Sequence, residues 1–178
     1  HGGIGINYVT SEGYPSGWKW LTVPPFTVLP LDTATGREDK WELRIHPEAL
    51  SRAVEKLQKQ DARESGGYLY GRYELALRTL TVVEAFAVPP LDSSATTLLL
   101  PPAGNTPAEK MLCESSSGVL TVVGSWHTHL NGNSDLSDTD RRQAETFARN
   151  NRTTPRPMVM LILSSAGVRG YVVYPENW

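Results

Sequence analysis

The pattern of apolar and polar residues predicts short strands that alternate with two amphipathic helices. Each strand-like run is short, apolar and rich in β-branched or aromatic residues. These runs cover residues 41–45, 68–73, 79–88, 119–126, 158–163 and 168–174. About six strands with two helices favour a mixed α/β domain, in which a single mixed sheet is flanked by helices.

The two helices are predicted from apolar spacing and from residues suited to helix starts. Pro47 stands where proline is tolerated at the beginning of a helix. The residues after it place an apolar stripe at helical spacing, formed by Ala49, Leu50, Ala53, Val54 and Leu57. Ser137 is a good N-cap for a second helix over residues 138–149.

Two segments lack a clear hydrophobic period. Residues 1–40 are rich in Gly, Pro, Ser and Thr, so we predict an extended N-terminal arm or linker before a domain at residues 41–178. Residues 92–117 form a proline-containing insertion, with a helical turn predicted at residues 107–113. A connection of this length inside a compact domain is usually functional or disordered.

Composition narrows the function classes. The chain has 178 residues, which suits one domain, and its net charge of -2 gives no basic bias towards nucleic acid. Cys113 is the only cysteine, which excludes an internal disulfide and a four-thiolate zinc site. The sequence has neither a membrane-spanning apolar run nor the regions of a signal peptide, so we expect a cytoplasmic protein with no membrane partner.

His127, His129 and Asp140 have the spacing of a catalytic metal site. Residues two apart on a strand project from the same face, so the two imidazoles can share one ion. Asp140 follows after a loop and can supply a third ligand, leaving a position open for water on a tetrahedral zinc. Taken singly, each residue has a plainer interpretation: a polar strand histidine, or a first-turn acid stabilised by the helix dipole.

Amide hydrolysis at such a site also needs a carboxylate that takes and returns a proton without binding the metal. Glu64 is the best placed by pattern, because it precedes Gly66 and Gly67 at the start of a strand that can pair beside the histidine strand. The alternative for Glu64 is an ordinary surface acid at a helix end. Ser137 is either only an N-cap or also a hydroxyl that stabilises oxyanion charge.

These residues resemble the signature of the JAMM, or MPN-plus, metalloproteases. His127-Thr128-His129, seven residues, then Ser137-Asp138-Thr139-Asp140 match His-x-His-x7-Ser-x-x-Asp, and Glu64-Ser65-Gly66-Gly67-Tyr68-Leu69-Tyr70-Gly71 is similar to Glu-x-x-Gly-x-Leu-x-Gly. Trp126 and Pro90-Leu91-Asp92-Ser93 look like the bacterial JAB-domain proteins. One departure is Leu130, where that family usually has proline.

The resemblance implies an MPN/JAB fold with a layout like that of cytidine deaminases. It implies zinc bound by His127, His129 and Asp140, with Glu64 as general base and acid and Ser137 stabilising the tetrahedral intermediate. The implied function is a zinc isopeptidase that cleaves the amide after the tail of a ubiquitin-like protein, in deconjugation or precursor processing. The implied partners are that protein, its conjugates, and E1-like or E2-like enzymes.

Two other functions compete with this interpretation. A non-catalytic MPN-type scaffold would need neither Glu64 nor Ser137, and both are present. A zinc deaminase would need Pro-Cys-x-x-Cys ligands, which a chain with one cysteine lacks. The resemblance also implies that the insertion at residues 92–117 holds the modifier tail by strand addition, with apolar contacts from residues 98–100. The alternative is that these leucines cover the core.

Overall fold

A computed structural model describes residues 4–9, 15–21, 26–33, 40–58, 63–150 and 156–174. The described strands, in chain order, are β1 (Ile4–Val9), β2 (Pro15–Leu21), β3 (Thr27–Thr33), β4 (Trp41–Ile45), β5 (Gly66–Glu74), β6 (Thr79–Ala87), β7 (Asp92–Ser93), β8 (Leu98–Leu99), β9 (Thr121–Thr128), β10 (Met158–Ser164) and β11 (Gly167–Val173). The described helices are α1 (Pro47–Gln58), α2 (Pro107–Ser115) and α3 (Asp138–Asn150).

Seven of these strands form one closed mixed sheet in the order β10-β11-β3-β4-β6-β5-β9. The pairs β9–β10, β11–β3 and β4–β6 are parallel, and the remaining neighbours are antiparallel. β1 pairs with β2, and β7 pairs with β8, in two separate two-stranded sheets. The predicted mixed α/β class is therefore confirmed.

The predicted strand count was too low, since the closed sheet has seven strands rather than about six. The helical turn predicted at residues 107–113 is the longer helix α2, so the described residues form three helices. The additional strand is β3, which lies before the predicted domain boundary at residue 41. The strand is hard to recognise from the sequence because it contains Pro30, and proline is rare inside paired strands. Pairing with β11 involves only Leu31 to Thr33, so Pro30 lies outside that ladder.

Helices cover both faces of the sheet. Ala49 and Ala53 of α1 pack in the main core with Leu43, Leu69 and Leu161, all of which have no exposed surface. On the opposite face, Ala144 of α3 packs in a second cluster, formed with Met160, Ile162, Tyr171 and Val173. Within the described ranges, no helix combines the length and apolarity needed to span a membrane.

The insertion folds into a short hairpin, β7–β8, followed by helix α2. Thr106 caps α2 by accepting a hydrogen bond from the Glu109 N–H, while the Glu109 carboxylate accepts from the Thr106 N–H. Glu109 is 1% exposed and also accepts a 2.9 Å hydrogen bond from the Tyr70 hydroxyl on β5. One buried carboxylate therefore caps the N-terminus of α2 and also attaches the helix to the sheet.

This attachment predicts a large stability cost for Glu109→Ala. The substitution leaves the Tyr70 hydroxyl and the Thr106 N–H without their acceptor, which should cost about 2–3 kcal/mol of unfolding free energy in urea denaturation. Glu114→Ala, an exposed acid on the same helix, is the matched control and should cost far less. Equal losses in the two variants would show that Glu109 does not anchor α2.

Candidate metal centre

The two histidines lie at the end of β9, and the sheet fixes their direction. His127 is opposite Ile162 of β10 and Gly66 of β5, while the His129 N–H donates a 2.8 Å hydrogen bond to the Leu163 carbonyl. Both imidazoles project from the same face because they are two residues apart. That face is the one covered by α3, whose first turn contains Asp140.

The side-chain atoms of His127, His129 and Asp140 converge. The two Nε2 atoms are 3.0 Å apart, the Asp140 Oδ1 is 3.1 Å from the His127 Nε2, and the Asp140 Oδ2 is 3.4 Å from the His129 Nε2. The three residues are only 5%, 8% and 8% exposed, in that order. The structure thus brings together all three predicted ligands in a largely dry position.

The loop after β9 fixes the tautomer of His129. Its Nδ1 lies 2.9 Å from the Asn133 carbonyl, which can only accept, so Nδ1 carries a proton. The neutral ring therefore presents the lone pair of Nε2 to the cluster. A ring nitrogen that donates to a carbonyl in this way is the usual support of a metal-binding histidine.

Asp140 is held by the start of its own helix. Its carboxylate accepts hydrogen bonds from the Ser137 N–H and hydroxyl, and the Ser137 Oγ accepts from the Asp140 N–H. Although burial disfavours the carboxylate, hydrogen bonds from His127, His129 and Ser137 hold the pKa of Asp140 well below its usual range. Ser137 is therefore the predicted N-cap, and it also orients the carboxylate.

Glu64 is placed beside this cluster by two sets of main-chain contacts. Thr128, between the two histidines, makes two hydrogen bonds with Ser65, the residue after Glu64. The Thr128 N–H donates to the Ser65 carbonyl at 2.9 Å, and the Ser65 N–H donates to the Thr128 Oγ1 at 2.9 Å. On the other side, the Ser93 hydroxyl donates to the Glu64 carbonyl at 2.7 Å, and the Glu64 N–H donates to the Ser94 carbonyl. The predicted acid therefore lies at the site, although its catalytic role remains a prediction.

The environment of Glu64 suits a group that exchanges protons. The residue is 7% exposed, and burial raises the pKa of its carboxyl to about 7, with His129 opposing the shift and Asp140 reinforcing it. A carboxyl group with a pKa near neutrality can both take and return a proton at physiological pH. An ordinary surface acid would not show this burial.

The donor atoms fit a zinc ion. Zinc bonds of about 2.0–2.1 Å place the ligand atoms of a tetrahedron about 3.3–3.4 Å apart. The two Nε2 atoms are 3.0 Å apart, and each faces a different Asp140 oxygen at 3.1 and 3.4 Å, so the separations are close to this spacing without defining a tetrahedron. Two imidazoles with one carboxylate are also a ligand set that zinc accepts. His127, His129 and Asp140 would hold the ion, and Glu64 lies outside this ligand set.

A groove of about 670 Å³ runs between α3, β9 and the insertion. It reaches Thr139, the neighbour of Asp140, and Ser125, which lies two residues before His127 on the same face of β9. Its apolar lining includes Leu99, Leu100, and the stacked rings of Tyr68 and Phe147, whose centroids are 5.4 Å apart. Across the groove, the Gln143 side-chain amide donates a 3.0 Å hydrogen bond to the Leu98 carbonyl.

Comparison with known families agrees with this geometry. Residues 46–173 match the family of prokaryotic homologs of the JAB domain, and that match covers well over half of the chain. The chain belongs to this family. JAB-domain proteins of this kind include JAMM-type metalloproteases and also non-catalytic members, so membership alone does not establish an enzymatic reaction.

Two further comparisons accompany the JAB-domain assignment. The solution structure of protein DSY2949 from Desulfitobacterium hafniense is similar to this chain, with 14% sequence identity and a TM-score of 0.44. The similarity covers 75% of this chain and 92% of the other. A search of curated proteins gives no match.

Three residues that position parts of the JAB-domain site were not predicted from the sequence. Asn133 acts through its main-chain carbonyl, which no side-chain pattern reveals. Thr128 occupies the variable position of the histidine motif and links β9 to the segment that contains Glu64. Gln143 lies three residues after Asp140 on α3, and its hydrogen-bond partner, the Leu98 carbonyl, is close only once the insertion has packed against the helix.

The raised pKa of Glu64 predicts a pH-dependent effect of Glu64→Gln on stability. In metal-free protein the raised pKa lets the folded state hold the Glu64 proton up to about pH 7, whereas the ordinary pKa of a glutamate carboxyl is 4.5. The stabilisation from this proton is complete below pH 4.5, the ordinary carboxyl pKa, and is lost as the pH rises through the Glu64 pKa of about 7. The Tm of Glu64→Gln minus that of wild type should therefore grow from pH 5 to pH 8 in chelator-treated protein.

Circular dichroism melting curves measure this difference, and Glu114→Gln is the control for loss of an exposed carboxylate. Added zinc should shrink the effect, because a nearby cation favours the ionised form of Glu64. A Tm difference that is the same at every pH would contradict the assignment of a buried, proton-binding Glu64.

Proposed function

We propose that this protein is a zinc-dependent peptidase that cleaves the amide bond after the extended C-terminal tail of a ubiquitin-like protein. The observation that carries the proposal is the convergence of two imidazole Nε2 atoms and the Asp140 carboxylate at separations of 3.0 to 3.4 Å, with buried Glu64 beside them. A purely structural zinc site would need no additional buried acid with a pKa near 7.

Each residue has a distinct role in this proposal. Zinc, when bound, supplies Lewis acidity that polarises the amide carbonyl and promotes ionisation of water. Glu64 accepts the proton of the attacking water and delivers it to the leaving amine, a role that suits a buried carboxylate outside the ligand set. Ser137 holds Asp140 and, by turning its single hydroxyl proton from that carboxylate to the substrate, stabilises the developing oxyanion.

The groove supports an extended substrate. The Leu91 N–H donates to the Leu99 carbonyl and the Ser94 N–H donates to the Thr97 carbonyl, so the main-chain groups of Leu98 point to the side of β8 opposite β7. On that side the Leu98 carbonyl accepts from Gln143. An incoming strand can use the same edge, while its side chains contact the apolar lining of the groove.

The proton-transfer role predicts that Glu64→Gln loses cleavage and keeps zinc. With linear fusions of ubiquitin-like proteins to a reporter as substrates, kcat should fall about 100- to 10,000-fold, because an amide side chain cannot accept the proton. His127→Ala should lose both cleavage and bound zinc, measured by metal analysis of purified protein. Glu114→Gln should retain both properties.

Chelator treatment and mass analysis of the products complete this experiment. Cleavage directly after the modifier tail that stops with chelator and returns with zinc supports the proposal. Zinc binding without cleavage of any modifier fusion would instead favour the alternative, a non-catalytic MPN-type scaffold in a ubiquitin-like conjugation complex. Near wild-type cleavage by Glu64→Gln would overturn the assignment of the base.

The tail-binding groove predicts a selective effect of Leu99→Ala. Leu99 is 52% exposed and lines the groove, so its loss should raise KM for a modifier fusion roughly threefold to tenfold through lost apolar contact, with little change in kcat. Leu77→Ala is the matched control, because Leu77 is 68% exposed and lies in the β5–β6 turn. Equal KM values for the two variants would remove the insertion from substrate binding.

A further inference from the structure

The loop between β9 and α3 contains the carbonyl that orients His129. Asn133 supplies that carbonyl, and its side-chain Oδ1 also accepts a 2.9 Å hydrogen bond from the Asp135 N–H. The peptide unit between Ser134 and Asp135 is therefore attached to Asn133 through its N–H. Any shift of this peptide unit moves the Asn133 carbonyl and, with it, the His129 ring.

Tyr171 holds the other end of the same peptide unit. Its hydroxyl donates a 3.0 Å hydrogen bond to the Ser134 carbonyl, and its ring is 6% exposed within the cluster beneath α3. A peptide unit restrained at both its N–H and its C=O has little freedom to rotate. β11 thus fixes a loop that contributes no metal ligand itself but precedes Asp140 and supports His129.

An ion-pair network lies over this contact and extends it to β3. The Arg169 guanidinium contacts Asp135 and Asp32, and it lies 5.4 Å from the centroid of the Tyr171 ring. These charged side chains are 46–63% exposed, and exposed ion pairs contribute little energy. The partly buried hydrogen bond from the Tyr171 hydroxyl is therefore the stronger restraint on the loop.

We propose that Tyr171 is a positioning residue for the metal centre, acting through the Ser134 carbonyl and Asn133 to hold the His129 imidazole towards the other two ligands. Arg169 has the same role to a smaller extent. This inference rests on the proposed binding of zinc by His127, His129 and Asp140. Metal affinity then depends also on Tyr171 and Arg169 of β11, and on Asp32, which contacts Arg169 and lies before the matched residues 46–173.

The test compares Tyr171→Phe with Tyr73→Phe. Each substitution removes a hydroxyl that can donate to a main-chain carbonyl, at Ser134 in the first case and at Val123 in the second, where the Tyr73 hydroxyl also lies 3.3 Å from the Met158 sulfur. Zinc affinity is measured by competition with a chromophoric chelator, and the ligand field is followed by visible absorption of the protein loaded with Co²⁺. Melting temperatures show whether the two variants lose similar stability.

Tyr171→Phe should weaken zinc binding about threefold to tenfold and alter the Co²⁺ spectrum; the effect is smaller than the roughly 10- to 100-fold typical of a direct partner of a ligand, because Tyr171 acts through Asn133. Tyr73→Phe should change neither, and Arg169→Met should weaken binding less than Tyr171→Phe. Equal zinc affinity and an unchanged spectrum in Tyr171→Phe would overturn the inference while leaving the metal site intact. Failure of wild-type protein to bind zinc would instead refute the proposed function.

Discussion

Two imidazole nitrogens and a carboxylate meet in a buried position, where their lone pairs need a proton or a metal cation between them. The Nε2 atoms of His127 and His129 and the carboxylate of Asp140 lie within hydrogen-bonding distance of one another, and Nδ1 of His129 is already committed to a carbonyl. In metal-free protein a proton meets this need: the hydrogen bond with Asp140 raises the pKa of His129. A metal ion meets it by displacing that proton, so metal binding and protonation must compete.

The surrounding fold serves to bring these acceptors together. β9 pairs with β5 and β10 on its two sides, which fixes the direction of both imidazoles. Gly66 makes this pairing possible, because a Cβ there would lie 2.4 Å from the Leu98 side chain and 2.7 Å from the Trp126 carbonyl. The N-terminus of α3 then presents Asp140 where its helix dipole favours the charged carboxylate. The register of the sheet therefore positions the two imidazoles, and the start of α3 positions the Asp140 carboxylate against them.

Much of the site is local in sequence, which is why it could be predicted. The histidine pair follows from strand period two, and Ser137 to Asp140 follows from the rules of helix starts. The seventh strand could not be predicted in this way, since Pro30 obscures β3 and one of its two partners, β11, is distant in the chain. The same limit applies to Asn133, whose main-chain carbonyl acts on His129, and to the groove, which exists only once the insertion packs against α3.

The central claim is that two imidazoles and one carboxylate of this chain hold a single zinc ion. X-ray absorption spectroscopy of protein loaded with one equivalent of zinc tests it most directly. We expect a shell of nitrogen and oxygen ligands at about 2.0–2.1 Å with the outer-shell scattering of two imidazole rings, and we expect His129→Ala, like His127→Ala, to lose the ion. A sulfur ligand at about 2.3 Å, or a spectrum without imidazole scattering, would contradict this account.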